Sequence, residues 1–100
     1  MKTAETSAQP RIKQPLGLEM VLMTAGIQPT KQRLAVANVL LQSPIHLTAE
    51  EVLLGARQYL SHISRATVYN TLQVFLDKGL IRALHLHAER TVYDSRPESH

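Results

Sequence analysis

The stretch that decides the fold is SRATVYNTLQVFLDKGLI, residues Ser64 to Ile81. Ser64 is a helix-cap residue, because its short hydroxyl side chain can accept from the free N–H groups of a first turn. Gly79 stands where a helix closes in the left-handed conformation that glycine reaches without a steric penalty. Between them Val68, Leu72, Phe75 and Leu76 recur at helical spacing and define one apolar stripe. The pattern predicts a helix over residues 65–78. At about 100° per residue, the side opposite that stripe carries Ala66, Asn70, Gln73 and Asp77, flanked by Arg65 and Tyr69.

Reading outward, a connection of a few residues (61–63) joins this helix to one before it, a helix-turn-helix length. That earlier helix has a strong start signal. Thr48-Ala49-Glu50-Glu51 forms a capping box, and Leu47 and Val52 are placed to close a hydrophobic staple across it. Its expected buried face is Val52, Leu53, Ala56 and Leu60. Further upstream, Thr30 caps a helix over residues 31–42 with Leu34, Ala37, Leu40 and Leu41 as its stripe, stopped at Ser43-Pro44. A short helix over residues 18–25 ends at Gly26. Downstream, residues 80–86 and 90–94 read as two strands around a turn at His87-Ala88-Glu89. The expected fold is mainly α with a small β-hairpin, a winged helix-turn-helix of four helices followed by a two-stranded antiparallel wing. Residues 16–95 form this domain. Residues 1–15, polar and carrying Pro10 and Pro15, read as a flexible arm.

Composition agrees. One hundred residues make one domain, and 44% apolar against 4% aromatic residues requires an aliphatic core, which favours helices over a β-sandwich. The net charge is +3, and the basic residues cluster. Residues 1–33 hold five Lys/Arg against two acids and residues 57–90 again five against two, whereas residues 34–56 hold only Glu50 and Glu51. Basic charge therefore sits at the start of the chain and around the 65–78 helix, which is compatible with a polyanionic partner without requiring one. With no cysteine in the chain, disulfides and thiolate zinc sites are excluded within these residues. No apolar run approaches the roughly 18 residues of a membrane span, and the N-terminus lacks a secretory apolar segment, so a cytoplasmic protein without membrane association is expected.

The outward residues suit double-stranded DNA. Asn70 and Gln73 have the donor–acceptor pair that matches adenine, and Ala66 and Tyr69 can touch a thymine methyl. Arg65 suits guanine or phosphate, while Ser64, Thr67 and the free N–H groups of the first turn suit a phosphate. Arg33, Arg82 and Arg90 are placed to flank the groove as backbone contacts. The alternative is a winged-helix module that binds protein through the same face. An enzyme is not expected, since the sequence has neither HExxH spacing nor a glycine-rich phosphate loop.

Three stretches resemble the ferric uptake regulator superfamily: TAGIQPTKQRLAVANVL (24–40), HLTAEEV (46–52) and SRATVYNTLQVFLDKGLI (64–81). The Asn after Tyr69 is similar to the peroxide-sensing and iron-response branches. The resemblance implies a dimeric repressor that reads an AT-rich palindromic operator. It implies a homodimer formed through a C-terminal domain beyond these residues, with residues 96–100 as the start of the hinge. Carried over, Tyr69 and Asn70 fall on base-reading positions and Arg33 on a backbone-contacting one. The minor-groove position, commonly Lys or Arg, is Gln28 here, with Lys31 nearby as its substitute. The resemblance also places His46, Asp94 and His100 on three ligand positions of a regulatory site for a divalent metal: Fe2+, Mn2+ or Zn2+. Without the ligands of the following domain, metal binding by this chain is expected to be weak or absent. His85 and His87 alternate on the wing and are assigned no site.

Overall fold

The computed structural model describes residues 17–42, 46–87 and 90–94. The expected arm (1–15), the turn residues Ala88 and Glu89, and the expected hinge with His100 lie outside the described residues. The elements run α1 (Gly17–Thr24), α2 (Lys31–Leu41), β1 (Leu47–Thr48), α3 (Ala49–Ala56), α4 (Arg65–Asp77), β2 (Arg82–His87) and β3 (Arg90–Asp94). No helix among the described residues is long and apolar enough to cross a membrane.

The helix boundaries follow the local signals. The Thr30 side chain accepts from Arg33 N–H at the start of α2. At α3 the box is complete: Thr48 Oγ1 accepts from Glu51 N–H at 3.1 Å, and Glu51 Oε1 accepts from Thr48 N–H at 2.8 Å. Gly79 ends α4 at φ +77°, where Gly79 N–H bonds to Leu76 O and Leu80 N–H to Phe75 O. Gly26 ends α1 in the same way at φ +82°.

Two helices differ from their expected faces. In α2, Ala35, Val36, Ala37, Asn38 and Leu40 are buried, while Leu34 and Leu41 are only half-buried. The helix contacts α1, α3 and α4, so it is enclosed on more than the single stripe of a surface helix. α3 stops at Ala56, and Leu60 is half-buried in the turn that follows. Arg57 Nε donates to Ile63 O at 3.1 Å, pinning that turn so that α4 starts at a fixed angle.

The core gathers Leu22, Ile27, Val36, Val52, Leu53, Val68, Leu72 and Phe75, all less than 3% exposed. It is aliphatic around a single phenyl ring, as the composition requires.

The sheet corrects the sequence reading. It has three strands rather than two, in the order β1-β3-β2, all antiparallel. β1 pairs Leu47 with Tyr93 and Thr48 with Val92. At two residues it is too short to show periodicity, and its position is set by its partner β3. β2 begins at Arg82 rather than Leu80, because the helix-closing turn at Gly79 uses Leu80 N–H.

Candidate nucleic-acid interface

Packing decides which side of α4 is free. Val68, Thr71, Leu72 and Phe75 turn inward and are buried. Ala66, Tyr69, Asn70, Gln73 and Asp77 are exposed, Tyr69 at 46%. Among the described residues, the polar side of the helix is thus uncovered over three turns, at a length suited to a DNA major groove. Ser64 Oγ accepts from Thr67 N–H at 3.0 Å and lies 2.9 Å from Thr67 Oγ1, so the first turn is capped locally.

Beside α4, the start of α2 forms a groove of about 380 Å3 lined by Gln28, Thr30, Gln32, Arg33, Thr67, Asn70, Thr71 and Val74. Four of the residues singled out in the sequence, Gln28, Arg33, Thr67 and Asn70, meet here. Arg33 Nη1 donates to Gln28 O at 3.1 Å, which holds the guanidinium at the groove rim. Gln32 also lines the groove. In the sequence, one exposed Gln between Lys31 and Arg33 carries no signal of its own. Lys31, Ser64, Arg65, Tyr69 and Gln73 stand outside the groove lining, all on exposed surface.

Two of these side chains are already engaged. Arg65 Nη1 donates to both carboxylate oxygens of Glu50, at 2.6 Å to Oε2, bridging the first turns of α3 and α4. That hydrogen bond, with the charge of Glu50, holds the Arg65 guanidinium above its ordinary pKa. Gln73 Nε2 donates to Asp77 Oδ1 at 2.9 Å. The Tyr93 phenol on β3 is pushed up by burial, with the charge of Tyr69 adding to the shift.

A second cluster forms at the base of the wing. β3 is the central strand, so Asp94 at its end has neighbours on both sides. On one side the β1 register, continued by one residue, sets His46 opposite Asp94, and His46 Nε2 lies 3.3 Å from Asp94 Oδ2. On the other side Arg82, the register partner of Asp94 in β2, places Nη2 3.4 Å from the same oxygen. The Asp94 side chain is 6% exposed. Two of the three expected metal donors are therefore adjacent, and the third, His100, is outside the described residues. An imidazole beside a buried carboxylate fits a divalent ion of intermediate hardness. Arg82, expected at a phosphate, is instead turned onto Asp94.

The arrangement has close relatives. The peroxide-responsive repressor PerR of Staphylococcus aureus strain Mu50 is 35% identical over 79 residues, 79% of this chain and 53% of that protein. A solved manganese uptake regulator superposes with a TM-score of 0.74 at 32% identity, covering 83% of this chain and 61% of the other. The ferric uptake regulator of Vibrio cholerae gives 0.72 at 30% identity, covering 82% and 63%. The chain spans about half the length of the curated relatives it matches. Residues 24–100 match the profile of the ferric uptake regulator family, and with the winged-helix architecture and the uncovered face of α4 this places the chain in that family.

Proposed function

We propose that this chain is the DNA-binding part of a metal-responsive transcriptional repressor that reads an AT-rich palindromic operator with α4. The observation that carries the proposal is the α4 face itself: Tyr69, Asn70 and Gln73 are exposed together while the opposite stripe is buried. Tyr69 and Asn70 then read base edges, Arg33 fixes the backbone beside the groove, and the first turn from Ser64 to Thr67 receives a phosphate. Arg65 is positioned by Glu50 for guanine or phosphate, and Gln28 and Lys31 approach the minor groove from the start of α2. The cytoplasm is the compartment in which such a protein meets DNA.

His46 and Asp94, with His100, would hold a divalent ion, Fe2+, Mn2+ or Zn2+, completed by donors beyond these residues. A bound ion supplies positive charge and directed coordination at the buried carboxylate of Asp94. Binding as a homodimer through a following domain matches two-fold symmetric half-sites.

Fluorescence anisotropy with an AT-rich palindromic duplex and a random duplex of equal length tests the DNA reading. The expected result is a preference for the palindrome and a steep loss of affinity with salt. Equal binding to both duplexes removes the sequence-reading role. No binding to either favours a protein-interaction module using the same face.

A further inference from the structure

We infer that Arg82 sets the metal affinity of the site at the base of the wing, as an internal cation that competes with a divalent ion for Asp94. The inference rests on reading His46 and Asp94 as metal donors. Asp94 is the acidic residue buried among the described residues, and a carboxylate so placed must be compensated by a partner. His46 Nε2 lies 3.3 Å and Arg82 Nη2 3.4 Å from its Oδ2, one on each side of β3. Their chemistry differs. An imidazole nitrogen can turn from hydrogen-bonding the carboxylate to ligating a metal alongside it. A guanidinium cannot ligate, and it keeps its charge at any pH the fold survives.

The consequence is directional. A divalent ion seated on Asp94 Oδ2 lies within a few ångströms of the Arg82 charge, and the two repel. Either Arg82 leaves the carboxylate or the ion binds against its field. In both cases Arg82 weakens the site and raises the concentration at which the ion takes hold. The opposite role is also chemically possible. A hydrogen bond that orients a ligating carboxylate tightens a metal site, and removing such a group weakens binding. The two roles predict opposite signs for one substitution.

Mn2+ titration of the 100-residue chain into the millimolar range, which reaches the weak binding expected without the following domain's donors, reads that sign through paramagnetic broadening of the His46 ring protons. No broadening there in the chain or its Arg82 variants overturns the inference. Relative to the unsubstituted chain, R82Q is expected to reach half-broadening at about tenfold lower Mn2+, the size expected for removing one like charge near a partly screened ion. The Arg82 side chain is half-exposed, so the fold has room for a neutral replacement. R82M, which keeps the apolar stem, is the second variant and is expected to shift the same way. Unchanged or weaker Mn2+ binding in whichever of these variants is folded overturns the competitor role. D94N separates this from the underlying reading. If D94N abolishes the broadening at His46 while R82Q leaves it unaltered, only the role of Arg82 fails. If D94N broadens like the unsubstituted chain, the assignment of His46 and Asp94 as donors fails, and this inference with it.

Discussion

Asn70 and Arg33 line one groove with different chemistries. An amide presents a donor and an acceptor in fixed directions, so Asn70→Ala should remove base discrimination worth about 1–3 kcal/mol at one position of the operator. A guanidinium on a phosphate carries no sequence information. Arg33→Ala should therefore weaken all duplexes alike and reduce the salt slope by about one. Anisotropy on a panel of singly substituted duplexes distinguishes the two patterns, and identical behaviour of both variants would remove the assigned docking. Asn38 tests a different property. It is 1% exposed, and its Oδ1 accepts from Gln42 Nε2. Its Nδ2 finds no acceptor among the described residues. A buried donor left unpaired costs about 1–3 kcal/mol, so Asn38→Leu, of similar volume, should raise stability in urea denaturation by about 1 kcal/mol. The polar face of α4 was legible in the sequence because helical spacing alone separates Asn70 and Gln73 from Val68 and Leu72. The burial of Asn38 was not, since it depends on three helices enclosing α2.

Among the elements, α2 and α3 approach closely at Val39 and Gly55. Gly55 lies in the last turn of α3, where the preference for alanine over glycine is no more than the roughly 0.5–1 kcal/mol of a helix interior. A Cβ there would meet Val39 Cγ1 at 2.9 Å and Cγ2 at 3.0 Å. Both methyls of a β-branched side chain face the clash, so a change of rotamer does not relieve it. Overpacking of this kind costs about 1–3 kcal/mol and outweighs the propensity gain. Gly55→Ala is expected to lower the melting temperature, and Val39→Ala in the same chain to recover part of the loss. Additive losses in the double variant would show that the two sites are independent. The capping box at Thr48 was readable because every part of it lies within three residues. The bridge from Glu50 to Arg65 spans fifteen residues, and nothing local announces it.

At the scale of the whole molecule, stability and operator binding make separate demands. Phe75 is the largest fully buried side chain. Phe75→Ala removes about 3–5 kcal/mol, a large part of what a small domain has, and circular dichroism should find the chain largely unfolded at 37 °C. Operator affinity depends instead on the number of copies that bind together. Joining two copies by a flexible linker that spans both half-sites should tighten binding to a palindromic duplex by about 10²–10⁴ over a single copy. A duplex carrying one half-site should show little of this gain. An equal gain on both would mean that the copies do not engage symmetric half-sites.

The sequence by itself determined the four helices, their caps, the hairpin and the outward face of α4. Each of these is set by residues within a turn or two of one another, where hydrogen-bond reach and side-chain period act directly. Only the tertiary structure decided that a third strand exists, and with it that His46 and Arg82 meet on the Asp94 carboxylate from opposite sides. A two-residue strand has no period of its own, and its place follows from pairing with a partner more than forty residues away.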